Sequence, residues 1–486
     1  MRLATPRQSI DALLDPGSFV DIAQQHRSPW LDAYGIAAVA GDGVVVGTGA
    51  IAGQPVVIAA QDGDFMSGTL GQVHAACMCG AIRAARQAKP AGVVLMLDSA
   101  GVRLHEALAA ELGLARLMRE VFELRFAGVP CIAVINGRIG CFGGATLIAG
   151  CCDAVLMARG ARFSLSGPRV LEAVQGRAFD TEQTALFTRI ALPEHRLCTV
   201  EADEVLADKP RAVGDAIARA LEQPSRIDAE TLAARQSALE ARLRGAVLPA
   251  QPVAVALPGH VAGGSADELL DELLGGRREG PQAVVSGCAR IAKTPFFVVG
   301  AQMTQAVGAA QCVALSAEIL RVMRDHRRRP ILLLANGVQA VSLANEQFGL
   351  AGCLTHLAAC IACARQNGHT VIALLGDVGT AGSFVVMGML ADALYALAGA
   401  QVHALPPRVV RQFVPHNVDS LATSTKVEDL FELGGVDAIW RKPCTSHLRG
   451  ELEWRAQRQP PRAHESSKMA LSVATEIEQS LLANLT

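Results

Sequence analysis

The sequence predicts an α/β protein built as two related domains, and three observations carry that prediction. The chain has 486 residues, too many for one ordinary core. Apolar strands alternate with helices in both halves, in the same order. Each half also sets a glycine corner between a buried strand and a small-residue helix. The corners are Gly140-Cys141-Phe142-Gly143-Gly144-Ala145 and Gly376-Asp377-Val378-Gly379-Thr380-Ala381-Gly382-Ser383-Phe384.

In the first half a short helical entry, Ile10–Leu14, leads to a hairpin of Gly43–Thr48 and Val56–Ala60 around Gly53-Gln54. The spacing then predicts helix His74–Ala88, strand Val93–Asp98, helix Glu106–Phe126, strand Cys131–Ile135 and helix Ala145–Cys152. The second half reads as strand Phe296–Gly300, helix Ala309–Asp325, strand Ile331–Leu334, helix Gly349–Asn367, strand Thr370–Leu375 and, past its corner, helix Phe384–Leu397. Between the halves lie an amphipathic helix, Ile227–Leu243, and the breakers Pro249-Ala-Gln-Pro252 and Pro258-Gly259, which put the boundary near residue 252 and divide the chain into 1–252 and 253–486. Gly263-Gly264 and Gly275-Gly276 loosen the entry to the second half, and Ser472–Leu485 reads as a docking helix or a frayed tail.

Composition narrows the function classes. Hydrophobic residues make up 51 % of the chain and aromatics only 4 %, so packing rests on small aliphatic side chains in close α/β layers. The net charge of −2, without basic tracts, argues against a nucleic-acid partner. Apolar runs such as Gly92–Leu97 and Ile331–Ala335 are strand-sized, far below the roughly 20 residues of a membrane span. The start, Met-Arg-Leu-Ala-Thr-Pro-Arg-Gln, has no apolar export core, and the 13 cysteines sit in apolar segments, so a reduced, cytoplasmic protein is expected. His356, Cys360 and Cys363 share a helical face, but no second CxxC or His pair accompanies them, and no metal site is expected.

Glycines in the first turn of a helix let a ligand oxygen approach the unpaired amides there, so Gly143 and Gly144 suit an oxyanion hole for an acyl thioester; alternatively they serve close strand and helix packing. Three other segments bear on the same pocket. In Asp98–Glu106, Gly101 and Val102 line it or supply a second amide. Arg103 either attracts an anion or pairs with a nearby acid, and His105 and Glu106 are acid/base groups or helix caps. In Asp64–His74, Ser67, Gly68 and Gln72 form a wall for an extended carrier arm or a structural turn. In Ser164–Val170, Ser166 and Gly167 belong to a β segment broken by Gly-Pro that lines a channel or closes the domain. Gly382 and Ser383 hold the matching position in the second half. Gly47-Thr-Gly49-Ala-Ile-Ala-Gly53 imitates a dinucleotide fingerprint, yet strand signals flank it on both sides, which excludes that reading.

Taken in order, these motifs resemble the carboxyltransferase branch of the crotonase superfamily, specifically the β and γ subunits of biotin-independent malonate decarboxylase joined in one chain. The first half rests on Leu13-Leu-Asp-Pro-Gly-Ser-Phe19, Ser28-Pro-Trp-Leu31, Gly68-Thr-Leu-Gly71, Gly101-Val-Arg-Leu-His-Glu106, Gly140-Cys-Phe-Gly-Gly144 and Ser166-Gly-Pro-Arg-Val170. The second half rests on His356-Leu-Ala-Ala-Cys360, Gly388-Met-Leu-Ala-Asp392 and Ala381-Gly-Ser-Phe384, the last standing where the family usually has Ser-Gly-Gly-Phe. Ala335-Asn-Gly-Val-Gln-Ala340 departs from the usual Asp-containing glycine turn with an Arg nearby, as does His403–Asp419 from its counterpart.

The resemblance implies two ClpP/crotonase-like ββα-spiral domains of the acyl-CoA carboxyltransferase type, facing each other. It also implies a malonyl thioester carried on the phosphopantetheine-type arm of an acyl carrier protein or on CoA, with no covalently bound cofactor. The expected reaction is decarboxylation to the acetyl thioester, with Gly143 and Gly144 at the enolate oxygen and Gly382 and Ser383 at the carboxylate or CO₂. Arg103 and Gln72 are expected to position the substrate. An acyl carrier protein subunit, an acyl-carrier transferase subunit and a homo-oligomer or larger complex are the implied partners. Two other functions compete: a biotin-dependent carboxyltransferase, against which stands the lack of a Met-Lys-Met site, an ATP-grasp segment or zinc-ribbon cysteine pairs, and a non-catalytic scaffold subunit.

Overall fold

The computed structural model describes residues 5–22, 24–207, 210–250, 284–291, 294–301, 306–414, 423–441, 448–451 and 468–485. They form two compact units. One contains the residues up to Arg226 and the helix Lys468–Leu485, and the other runs from Ile227 to Phe413 and includes the strand Ala438–Trp440. The expected boundary at residue 252 and the glycine pairs at 263–264 and 275–276 lie outside the described residues.

The first unit is organised by a seven-stranded sheet of β1 (Val20–Asp21), β2 (Val44–Ile51), β3 (Gln54–Gln61), β4 (Gly92–Met96), β5 (Cys131–Ile135), β7 (Ala154–Ala158) and β9 (Glu204–Leu206), in that spatial order. β2 and β3 form the predicted hairpin, with Ile51 opposite Gln54, and from β3 onward the strands are parallel. Parallel strands covered on both faces read as apolar runs, and β4 and β5 are buried throughout. After each long strand the chain makes a second, short strand pairing before its helix. Leu70 pairs with Val102, Ser99 with Cys141, and β6 (Cys141–Phe142) with β8 (Phe163–Ser164). Helices Gln72–Ala88, Ala107–Phe126 and Gly144–Cys151 come after these pairings, so the unit is a series of ββα turns.

The second unit repeats the plan. Its six-stranded sheet has the order β10 (Val284–Ile291), β11 (Thr294–Ala301), β12 (Ile331–Leu334), β13 (Val371–Leu375), β15 (Ala393–Leu397) and β17 (Ala438–Trp440), again an antiparallel hairpin and then parallel strands. The short pairings are Val307 with Gln339 and β14 (Val378–Thr380) with β16 (Gln401–His403). Helix Ala229–Arg244 belongs here: Gln236 donates to the Val313 carbonyl at 2.9 Å and accepts from His356 Nε2 at the same distance.

Two elements differ from expectation. Phe384–Leu397 is not one helix: a helical turn, Ala381–Phe384, and a π-helical turn, Val385–Met389, lead to strand β15. The apolar run fits either period, and Asp392 decides the outcome by accepting from the Val371 amide at 2.8 Å and from Arg365 at 2.7 Å, which ends the helix beside β13. Of Ser164–Val170 only Ser164 is strand, as the end of Phe163–Ser164; the break expected at Gly167-Pro168 opens the helix Pro168–Gln175 with proline at its first position.

The C-terminal segment is a docked helix, not a frayed tail. Lys468–Leu485 lies on Gln72–Ala88 at Gly80, where a Cβ would stand 2.5 Å from the Ala474 carbonyl and 2.7 Å from Ile477 Cβ. Replacing Gly80 by Leu is therefore expected to lower stability by about 1–3 kcal/mol in urea unfolding, and an unchanged midpoint would contradict this docking. Val200 shows the opposite situation, a half-exposed β-branched residue at φ +59°. Val200→Gly is expected to raise stability by roughly 0.5–1 kcal/mol, the relief of left-handed strain less the entropy of glycine; a loss on the same measurement would refute the strain.

Candidate active site

Four loops at the carboxyl ends of the first unit's strands converge on the Gly143-Gly144 corner. Ser67 and Gly68 are clamped onto the loop after β4: the Ala100 amide donates to the Ser67 carbonyl at 2.9 Å and the Leu70 amide to the Gly101 carbonyl at 2.8 Å. Gly101 in turn faces Gly143 so closely that a Cβ on either would lie about 3 Å from the other's Cα (3.1 and 3.0 Å). The Ser164–Gly167 segment passes on the far side, where the Leu165 carbonyl accepts from the Gly143 amide at 3.1 Å. Ser67, Gly68, Gly101, Val102, Ser166 and Gly167 thus gather around one corner, as the sequence suggested.

Of the two glycines expected to present free amides, Gly144 does and Gly143 does not, while the Asp98–Glu106 segment offers a second free amide at Val102. Gly143 adopts φ 55° and ψ −133° as the residue before helix Gly144–Cys151, and its N–H is already bonded to Leu165. At this corner the amide of Gly144, in the first turn of that helix, has no acceptor, and neither has that of Val102, whose neighbour Arg103 takes the pairing with Leu70. A Cβ on Gly144 would lie 2.7 Å from Leu114 Cδ2 and 2.9 Å from Val102 Cγ2, so apolar side chains wall this spot. Gly143 shapes the corner, and Val102 and Gly144 supply the free N–H groups.

Of the two roles open to Arg103 the structure shows pairing with nearby acids, and the Gln72 side chain is engaged within the same loops. The Arg103 guanidinium is 1 % exposed and is consumed internally: Nη1 donates to Asp42 at 2.7 Å and to Glu106 at 2.8 Å, and Nη2 to the Thr69 carbonyl at 2.9 Å. Glu106 accepts further from Ser28 Oγ at 2.7 Å and from the Gln72 amide at 2.6 Å, capping helix Gln72–Ala88. The Gln72 side chain holds Trp30 Nε1 at 2.9 Å. Both side chains tie these loops together.

The network continues through a neutral imidazole. His74 Nδ1 lies 3.0 Å from the Asp42 carbonyl, which can only accept, so Nδ1 carries the proton and Nε2 accepts from Gln61 Nε2 at 3.1 Å. Burial and the Arg103 charge push His74 down to about 3. Gln61 accepts from the Asp98 amide, and the Asp98 carboxylate receives the amides of Arg138, Ile139 and Gly140 at 3.2, 2.7 and 2.9 Å. That fan of donors sets the loop leading into the corner. Burial and Glu106 push Asp42 up to about 7 against the pull of Arg103, and burial alone pushes Glu111 up to about 8. Glu111 is 3 % exposed, and its Oε2 has no hydrogen-bond partner. His105 is half-buried edge-on against Tyr34, with ring centroids 4.9 Å apart, and burial lowers its pKa.

In the second unit the Gly382 amide donates to Gln339 Oε1 at 3.0 Å, so it is not a free donor. The Ser383 hydroxyl is fully buried without a partner. The Ala335–Ala340 turn is tied to this corner: Asn336 Oδ1 accepts the Gly376 and Asp377 amides at 2.7 and 3.0 Å, and the Gln339 amide donates to Thr380 Oγ1 at 2.8 Å. Among the described residues there is no group of three or more side chains arranged to hold a metal ion, and no helix long and apolar enough to cross a membrane.

Because the folded chain keeps protons on Asp42 and Glu111 that the unfolded chain loses above pH 4–5, their contribution favours folding at low pH and is lost as pH rises through about 7 and 8. Urea midpoints are expected to fall between pH 5 and 8, each group contributing up to ~1.4 kcal/mol per pH unit, with a shallower slope in Asp42→Asn and in Glu111→Gln. Equal slopes in all three proteins would overturn the assignment.

Comparison with known proteins matches this architecture. Residues 3–430 fit the carboxyl transferase domain. Over 240 residues, 46 % of this chain and 75 % of the relative, the sequence is 31 % identical to the malonyl-S-ACP:biotin-protein carboxyltransferase MADC of Malonomonas rubra. It is 34 % identical over 223 residues to the acetyl-coenzyme A carboxylase carboxyl transferase subunits beta/alpha of Salinispora tropica, spanning only 38 % of that protein. Among solved structures, a chain of the Pseudomonas malonate decarboxylase hetero-tetramer in complex with malonate is 35 % identical, with coverage of 46 % of this chain and 83 % of that one and a TM-score of 0.43. The transcarboxylase 12S hexamer is 19 % identical, with coverage of 96 % and 91 % and a TM-score of 0.40. With the ββα turns and the converging loops in place, the chain belongs to the carboxyl transferase domain family and is homologous over about half its length to malonate decarboxylase subunits.

Proposed function

We propose that the protein decarboxylates a malonyl thioester to the acetyl thioester through an enolate held by the amides of Val102 and Gly144. The observation that carries this reading is that acceptor-free pair in an apolar corner. Loss of CO₂ leaves the electron pair of the broken C–C bond on the α-carbon, delocalised onto the thioester oxygen. Fixed donors aimed at that oxygen stabilise the charge by about 3 kcal/mol each in a site shielded from water. Ser67, Gly68, Gly101, Ser166 and Gly167 surround the corner and line the path of the thioester. The thioester is carried by CoA or by the phosphopantetheine-type arm of an acyl carrier protein, and the chemistry asks for no further cofactor.

A second reading has a specific support. MADC is a malonyl-S-ACP:biotin-protein carboxyltransferase, and the Salinispora relative is a carboxyl transferase, so the same enolate can arise as CO₂ is handed to biotin. The two readings part on the acceptor. Purified protein incubated with malonyl-CoA or malonyl carrier protein, without ATP or biotin, is expected to form acetyl thioester by mass spectrometry. Product that appears only when biotin is added would favour transfer, and no product under either condition would defeat both. Gly144→Ala, whose methyl meets Leu114 and Val102, is expected to lower kcat by about 10²-fold or more while the far-ultraviolet spectrum is unchanged. Undiminished turnover would remove Gly144 from the oxyanion site.

A further inference from the structure

An enolate must be protonated at carbon before product leaves, and none of the residues placed at the corner does this. The free amides stabilise oxygen, Arg103 is locked between two carboxylates, and His74 is bonded on both nitrogens. Among the described residues, Glu111 is the buried acid with a carboxyl oxygen that has no hydrogen-bond partner. It stands alone in the apolar run Ala107-Leu-Ala-Ala-Glu-Leu-Gly-Leu-Ala115 of helix Ala107–Phe126. Leu114 on that helix lies against the Gly144 corner, and residues three apart are neighbours on a helix surface, so Glu111 sits beside Leu114 about 4.5 Å nearer the helix start. That start comes only a few residues after Val102. Glu111 therefore stands on the stretch of helix between its start, five residues after Val102, and Leu114, which meets Gly144; the residue is 3 % exposed, and its Oε2 lacks a hydrogen-bond partner. A buried carboxyl without a cation or donor is stable as the neutral acid, the form that can give a proton.

Resting on the enolate chemistry of the proposed function, we propose that Glu111 is the catalytic acid that protonates the α-carbon. In the forward step the Glu111 O–H bond breaks and its proton forms the new C–H bond with the enolate electron pair. The thioester carbonyl is restored, Glu111 is left as carboxylate, and a proton from solvent regenerates the acid. The overall reaction takes up one proton and releases one CO₂.

The reverse half-reaction tests this without any decarboxylation. In D₂O the wild-type protein is expected to exchange the methyl hydrogens of acetyl-CoA for deuterium, read by mass spectrometry, and Glu111→Gln to exchange at least about 10²-fold more slowly. Glu111→Asp should recover part of the rate. Thermal unfolding of each variant shows whether it is folded, and Glu111→Gln is expected to be no less stable than wild type at pH 8. Exchange by Glu111→Gln at the wild-type rate, or absence of exchange in the wild type, would overturn the assignment. Wild-type exchange that depends on Glu111, in a protein that forms no acetyl product from malonyl-CoA, would instead sink the decarboxylase reading and leave Glu111 in place.

Discussion

The first unit's site depends on one buried guanidinium. Arg103 joins Asp42, from the turn before β2, to Glu106 at the entry to helix Ala107–Phe126, and through Glu106 to the first turn of helix Gln72–Ala88. Three segments far apart in sequence are thereby referred to one point. Two carboxylates share one cation in this cluster, and water cannot reach it, so full ionisation would leave an uncompensated buried charge. The upward shift of Asp42 relieves that excess by keeping a proton in the folded state. Val102, next in the chain to Arg103, has its amide direction fixed as a consequence. Removing Arg103 would strand both carboxylates, a change that typically costs about 3–5 kcal/mol.

The two units share a topology and use their corners differently. In the first, glycine takes the positive-φ position, and the next amide, on Gly144, is unbonded. In the second, Ala381 takes positive φ at 46°, and the amide after it, on Gly382, is held by Gln339. An incoming oxygen at the second corner would have to displace that side-chain acceptor, so its net gain is the difference between two hydrogen bonds and not a whole one. The turn that departs from the usual pattern, Ala335–Ala340, is what supplies this acceptor. Its Asn336 gathers two amides with a neutral carbonyl oxygen, so the loop is organised there without a charge.

Much of this was legible in the sequence. Apolar runs of strand length, helical periodicity and the two glycine corners gave the alternation and its repetition, because burial on both faces leaves that mark. Which of the two glycine amides is free was not legible. Gly143 and Gly144 are chemically alike, and only the return of Leu165 past the corner distinguishes them. Arg103 shows the same limit: the sequence leaves anion binding and acid pairing both open, and only the fold brings Asp42, 61 residues away, onto it. Residues 384–397 went astray because an apolar run fits either period and a single Asp decided it. Glu111 did leave a signal, one carboxylate on an otherwise apolar helix face.

In the proposed reaction the free amides and Glu111 divide the work by charge. Backbone N–H groups carry no net charge, so they stabilise an oxyanion without altering the protonation of their surroundings. A cation at the same place would also bind the substrate carboxylate in the ground state, and only stabilisation that is greater in the transition state raises the rate. Sequestering Arg103 with Asp42 and Glu106 removes that competing attraction from the corner. The acid, in turn, must be neutral when the enolate forms and ionised afterwards. Burial without a partner meets the first condition, and it makes the second transient, since a carboxylate in apolar surroundings is driven to recover its proton. On this proposal the same isolation that keeps Glu111 neutral also drives it back to the neutral acid once it has given up its proton.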